Sequence, residues 1–246
     1  MLCEAAVTPA PRFARPGRTR IVFISDLHWN GRQWPIYRKL AENINELDAD
    51  WIAFGGDLSV FMDTVQDALD WLATLNAKRG KIAVKGNRES PISWLDDKFW
   101  RTAYKRAGYV FLCNQRIVDL NAHVAFYGID DRRFGKPDWT PAQTSDNPFF
   151  TVSLSHNPDA AADAPLSTFI GDIVLCGHTH GGQLNLPFWG PIYSSSSYGR
   201  QFVHGWQQRD DGALCLTSSG IGESGFGILR HRLLCPREFV MLDIEP

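Results

Sequence analysis

Seven side chains in this sequence are of kinds that hold divalent metal ions, and each follows a short apolar run. Asp26 and His28 stand in Ser-Asp-Leu-His after the run at 21–24. Asp57 follows two glycines after 51–54, and Asn87 follows Gly86 in Lys-Gly-Asn-Arg-Glu-Ser after 82–84. His156 opens His-Asn-Pro after 152–155, and His178 and His180 lie in Gly-His-Thr-His-Gly-Gly-Gln after 173–176. Alternate residues of an extended segment point the same way, so Asp26 with His28, and His178 with His180, can each aim at one ion. Two aspartates, an asparagine and four histidines make a mixed oxygen and imidazole set. It suits manganese, iron, cobalt or zinc better than calcium or a structural zinc. Seven donors are too many for one catalytic ion and fit two, manganese foremost, sharing a carboxylate. Two ions about 3.5–4 Å apart can hold a hydroxide and clamp a phosphoryl group. Each motif by itself also reads as an ordinary turn. Chemistry is indicated because all five follow a strand-like run.

Those runs need elements to position them. Apolar residues at helical spacing over 37–47 and 65–75 alternate with the runs at 21–24, 51–54 and 81–84. Strand, helix, strand, helix, strand implies a parallel sheet with right-handed crossovers, and ligand sites of open α/β sheets gather at strand carboxyl ends. A further helix is expected over 94–106. The second half reads as short strands at 109–112, 116–120, 123–128, 150–155, 173–176, 213–217 and 239–244, expected to be more antiparallel than the first half. The predicted fold is α/β: two mixed β-sheets packed face to face as a sandwich, with flanking helices. Residues 1–18, with Pro9, Pro11 and Pro16, are expected to be loosely ordered, and 19–246 to form a single domain.

A chain of 246 residues can bury a core without staples, and its hydrophobic and charged fractions are ordinary for a globular protein. The formal net charge of -2 argues against a nucleic-acid partner. Five widely spaced cysteines without a C-x-x-C suggest neither a disulfide framework nor a zinc knuckle. They read as reduced and mostly buried, which fits a cytoplasmic protein. No signal-peptide pattern or bilayer-length apolar run is present, though peripheral contact with a membrane is compatible with the sequence. No protein partner is implied.

Together, DLH, GGD, GN, SHNP and GHTHGGQ resemble the calcineurin-like metallophosphoesterases, from about residue 21 onward. Tyr-Gly-Arg at 198–200, Ser-Gly-Ile-Gly at 219–222 and Pro-Arg-Glu-Phe at 236–239 resemble the YaeI/YkuE-type phosphodiesterase subgroup. The resemblance implies that Asp26, His28, Asp57 and His180 hold one ion and that Asp57, Asn87, His156 and His178 hold the other, with Asp57 bridging. Asp57, Asn87 and Arg88 are then the catalytic candidates.

Most of that family has histidine after the asparagine; here it is Arg88. Arginine stays protonated and cannot act as a general acid near neutrality, but it can stabilise charge on a transferring phosphoryl group. A phosphate leaving from an anhydride needs no proton, whereas an alkoxide does. The GNR motif is also similar to LpxH-type UDP-2,3-diacylglucosamine pyrophosphatases of lipid A synthesis. That type carries a helical lid where this chain has only a short stretch with Asp159, three alanines and Pro165.

The favoured substrate is therefore a nucleotide-sugar lipid, UDP-2,3-diacylglucosamine. A general phosphodiesterase acting on nucleotides or other phosphodiesters is the alternative, and a non-catalytic binding module on the same fold is the alternative of another class. Candidate walls for an apolar substrate are Trp94, Phe99, Trp100, Tyr104, Phe188, Trp189 and Trp206. His204 and Arg88 are candidates for substrate contact. His123 reads as a packed strand histidine, Glu89 as a partner for Arg88 or a nearby cation, and Arg132, Arg133 and Lys136 as a small basic loop.

Overall fold

The computed structural model describes residues 2–7, 17–31, 35–90, 96–142, 148–225 and 231–246. Strand β1 (Leu2–Val7) is followed by β2 (Thr19–Ile24), α1 (Pro35–Asn45), β3 (Trp51–Phe54), α2 (Val65–Ala73), β4 (Gly80–Ala83), α3 (Asp97–Arg106) and β5 (Val110–Phe111). Then come β6 (Gln115–Asp119), β7 (Val124–Gly128), β8 (Phe150–Ser155), α4 (Asp159–Asp163), β9 (Ile173–Cys176), β10 (Asn185–Leu186), β11 (Gly190–Pro191), β12 (Gly205–Gln208), β13 (Leu214–Thr217) and β14 (Phe239–Ile244). The strands form two six-stranded mixed sheets, ordered β1-β14-β2-β3-β4-β5 and β12-β13-β9-β8-β7-β6, and the short hairpin β10-β11.

The period of two along each strand sorts the core. Ile21 and Phe23 face Phe126, Val152, Leu154 and Leu175 across the gap between the sheets. Val22, Ile24, Ile52 and Phe54 point the other way and pack on Ile44 of α1, Leu69 and Leu72 of α2, and Trp100 and Tyr104 of α3. Val174, Cys176 and Cys215, on the outer face of the second sheet, meet Ala160 and Ala161 of α4. Asp96 caps α3, its side chain accepting from the Phe99 amide at 2.9 Å. Residue 94, and the start of the helix expected there, lie outside the described residues.

The antiparallel pairs fall on second-half strands, as expected: in the second sheet they are the edge pairs β6-β7 and β12-β13, while β7, β8, β9 and β13 between them run parallel. β7, β8 and β9 are buried throughout and long connections join them, as parallel pairing requires. Within the N-terminal stretch expected to be loosely ordered, the described residues 2–7 form a strand, while 8–16 lie outside the described residues. Leu2–Val7 pairs with β14 in parallel along its whole length. Prolines and arginines dominate 9–18, but the preceding Leu-Cys-Glu-Ala-Ala-Val run has none. All five cysteines are free, three of them buried. Among the described residues no helix is long and apolar enough to cross a membrane.

Candidate metal centre

Because β2, β3 and β4 are parallel, their carboxyl ends deliver Asp26, His28, Asp57 and Asn87 to one edge of the first sheet. The parallel pair β8-β9 delivers His156, His178 and His180 from the second sheet to the same seam. The turns are tied before any side chain is considered: the Asp26 amide donates to Gly56 O at 2.9 Å and the His28 amide to Asp57 O at 3.0 Å. Asp26, His28, Asp57, His178 and His180 all have φ between 44° and 72°. Non-glycine residues rarely adopt that region, and such strain concentrates at functional sites. The adjoining glycines are steric necessities. A Cβ on Gly86 would stand 2.3 Å from Asp57 Oδ1, and one on Gly56, at φ +91°, 2.4 Å from the Gly86 amide.

The structure brings all seven predicted side chains together. His28 Nε2 lies 3.0 Å from His180 Nε2. His156 Nε2 lies 3.1 Å from Asn87 Oδ1 and 3.2 Å from His178 Nδ1. Asp26 Oδ1 is 3.5 Å from His180 Nε2. Asp57 stands between the groups, Oδ2 3.4 Å from His28 Nε2 and Oδ1 3.4 Å from His156 Nε2. That is the position of a bridging carboxylate. Donors about 2.1 Å from one ion are separated by about 3.0–3.4 Å at adjacent corners of its coordination shell, so these spacings match ligands around shared ions. Donor atoms of Asp26, His28 and His180, and of Asp26, Asp57 and His156, each fall within 4.8 Å of one another, all on buried residues.

Supporting contacts aim these atoms. His156 Nδ1 donates to Gly55 O at 2.9 Å, which aims Nε2 at the cluster; against burial, the charges of Asp57 and Asp26 raise this histidine to about 9, so its Nε2 must shed a proton to ligate. Asp26 accepts from the Ser25 hydroxyl at 2.7 Å and from the His178 amide. Burial, then the charge of Arg88, holds His28 well below its ordinary pKa. Burial does the same to His180 and takes His178 down to about 4. These three imidazoles are neutral and can ligate. Burial pushes Asp57 up to about 7, with His156 opposing and the charges of Glu89 and Asp26 adding. Crowded carboxylates beside neutral imidazoles form a site that a divalent cation would balance.

The Lys-Gly-Asn-Arg-Glu-Ser turn is accounted for residue by residue. Lys85 bonds Asp97 of α3 at 2.7 Å and Asp130 after β7 at 2.9 Å. The Arg88 amide donates to Asp57 Oδ1 at 2.8 Å. Glu89, expected from sequence to pair with Arg88 or a nearby cation, instead meets backbone amides. It is buried, and its carboxylate accepts from the amides of Asp57 (3.2 Å), Leu58 (2.5 Å) and Gly86 (2.8 Å). It therefore clamps the turn after β3 to the turn after β4, satisfying donors that a tight, buried crossing would otherwise orphan.

A family model described as Calcineurin-like phosphoesterase matches residues 19–182, which include all seven side chains. The chain belongs to the calcineurin-like phosphoesterase family. It is 30% identical over 235 residues to a protein named phosphodiesterase YaeI from Escherichia coli, covering 92% of this chain and 82% of that one. An uncharacterized metallophosphoesterase, YkuE of Bacillus subtilis, is 32% identical over 176 residues, 67% of this chain. The match spans 58% of YkuE, less than two thirds of that relative's length. A protein named UDP-2,3-diacylglucosamine pyrophosphatase LpxG, from Chlamydia muridarum, is 24% identical over 225 residues, 72% of this chain and 68% of its own. As a metallophosphoesterase the chain is a hydrolase of phosphorus-containing bonds, and its Asp/His clusters fit a dinuclear divalent centre. When bound, such a pair of ions supplies Lewis-acid polarisation of a phosphoryl group and activation of water.

The phosphoesterase centre opens into a cleft of 450 Å³, lined by Asp57, Asn87, Arg88, His178 and His180 together with Arg133, Phe61, Met62 and Phe134. Sequence reading passed over the last three. Phe61 and Met62 open a short 3-10 helix in the connection after β3, and Phe134 lies in a turn after β7; a large apolar residue in such a connection is the signal that could have found them. Tyr104 is a core residue, and Trp100 is buried in the core while also lining the cleft, whereas Phe188 and Trp189 are exposed. Arg132 is engaged by Asp159 and Asp163, while Arg133 reaches the cleft. His123 sits in the turn before β7, exposed, rather than in a strand.

His204 is not among the cleft residues. Its Nε2 lies 2.7 Å from Glu238 Oε2. That hydrogen bond raises its pKa, against a smaller opposing effect of burial. A histidine raised in the folded state adds stability fully below its unfolded pKa of about 6.5 and loses it as pH rises through the folded value. His204→Gln is therefore expected to lower Tm at pH 6 and to leave it nearly unchanged at pH 9, measured by thermal unfolding. An equal loss at both pH values would assign the residue a packing role instead.

Proposed function

We propose that this chain hydrolyses a phosphoanhydride, with UDP-2,3-diacylglucosamine as favoured substrate. In this reading two divalent ions, manganese in the native cytoplasmic protein, are held by Asp26, His28, Asp57 and His180 and by Asp57, Asn87, His156 and His178. The observation that carries it is Arg88. Its side chain lines the cleft, and among the described residues no carboxylate pairs with it. A fixed cation there stabilises a phosphoryl group and its departing phosphate, but it cannot protonate an alkoxide. The name of the Chlamydia relative agrees with an anhydride substrate. Helix α4 has only five residues where a lid would stand, so the cleft rim at Phe61, Met62 and Phe134 is the apolar wall for acyl chains.

The relation to YaeI across 92% of this chain favours a second reading, a general phosphodiesterase. The deciding experiment compares manganese-loaded protein on UDP-linked diacylated glucosamine and on bis-p-nitrophenyl phosphate, with Asp57→Asn as blank. Release of UMP from the first supports the anhydride reading. Turnover of only the second replaces it with the general one. Metal-bound protein that turns over neither would point to a binding module on this fold.

A further inference from the structure

The hairpin that follows Gly-His-Thr-His-Gly-Gly-Gln has an unusual surface. Phe188 at its tip is wholly exposed and Trp189 is 73% exposed. Leu186, Ile192 and Tyr193 are exposed along its arms. The adjoining segment extends the patch. The Leu233 amide donates to Gln183 O and the Asn185 amide to Leu233 O, both at 2.9 Å, and Leu233 and Leu234 are themselves exposed. Single exposed apolar residues are ordinary, but a contiguous group of this size marks an interaction site.

Charge identifies what it meets. No Asp or Glu occurs from residue 181 to 209 or from 224 to 237, although the chain carries 27 acidic residues elsewhere. Arg200 is exposed and bonds the backbone of the hairpin at Pro191 O, 3.2 Å away, and no carboxylate among the described residues pairs with it. A projecting tip with phenylalanine and tryptophan, a tyrosine behind it and an arginine at its side fits a lipid interface. Aromatic rings settle at headgroup depth there, and a cation meets anionic lipid. A second copy docked face to face would bring one Arg200 patch against another.

The hairpin also grows from the phosphoesterase centre. A Cβ on Gly182 would touch Pro191 at 2.3 Å, and Ser195, just past the hairpin, lines the metal cleft. We infer that the hairpin at 185–193, with Leu233 and Leu234, docks this chain on an anionic bilayer surface and sets the metal cleft at the lipid boundary. The inference does not depend on the substrate assignment, because vesicles report the hairpin and a water-soluble diester reports the centre.

The test is flotation of the full chain with vesicles of phosphatidylglycerol and phosphatidylcholine, and with phosphatidylcholine alone. Wild type is expected to float with the anionic vesicles, and less so as salt rises. The double variant Phe188→Asn/Trp189→Ser should lose roughly tenfold or more of that binding, about 1.4 kcal/mol or more. Its hydrolysis of bis-p-nitrophenyl phosphate should match wild type, which controls for folding. Arg200→Glu should weaken binding to anionic vesicles alone. Equal flotation of wild type and double variant, or none for wild type, overturns the inference. A concentration-dependent dimer that the double variant abolishes, without vesicle binding, would assign the face to a second copy instead.

Discussion

Asp57→Asn is expected to lower metal-dependent kcat/KM by roughly a thousandfold or more while the chain stays folded. Asn keeps the oxygen that accepts from the Arg88 amide but withdraws the charge shared between the His28 and His156 sides. Metal content should fall with activity, since Asp57 in the proposed bridging role would serve both ions at once. Thermal stability of the metal-free protein should hold or rise, because Asp57 is a buried carboxylate crowded by Asp26 and Glu89 and such charges oppose folding when nothing balances them. Added manganese should then raise the Tm of wild type and leave the variant nearly unmoved. Elemental analysis, kinetics and melting curves on one preparation check all three. A variant that keeps both metals and most of its activity would remove Asp57 from the centre of the site.

The second large effect belongs to Arg88. On an anhydride substrate, Arg88→Ala should lose roughly a thousandfold in kcat, the scale on which a lone arginine at a transferring phosphoryl group acts. Arg88→Lys should recover part of it, restoring charge without the planar fork. Arg88→His should do something different in kind. It supplies a proton donor, so turnover of an alkyl phosphodiester should gain relative to the anhydride. That gain needs the protonated ring, and it should fade as pH rises through about 6.5. A change of less than about tenfold in Arg88→Ala would mean that the guanidinium does not touch the reacting group.

The site was more legible than its surroundings for a physical reason. Asp26, His28, Asp57, Asn87, His156, His178 and His180 each follow an apolar run, and strand ends converge by topology, so type and position together sufficed. What surrounds them depends on contacts between distant stretches. Glu89 looked like a partner for its neighbour Arg88, yet it serves amides 31 and 32 positions away. Lys85 meets Asp130 from the other sheet, and nothing in either local sequence pairs them. His204 drew notice as a histidine in a loop, but Glu238 faces it. Which strands of the second sheet run parallel was not legible, because short apolar runs look alike whichever way their neighbours run. The edge strand at Leu2–Val7 was missed because its partner, β14, lies at the far end of the chain.

The placement of the ligands on the seam has a consequence for assembly. His28 and His180 approach within 3.0 Å across 152 positions of chain, one from each sheet. A nascent or partly unfolded chain with only the first sheet formed offers two aspartates, one histidine and an asparagine. With only the second it offers three histidines. Neither set alone would enclose a pair of ions, so full occupancy of the proposed centre would require both sheets to be docked. A chain with both proposed ions bound would thus have its two sheets already packed together.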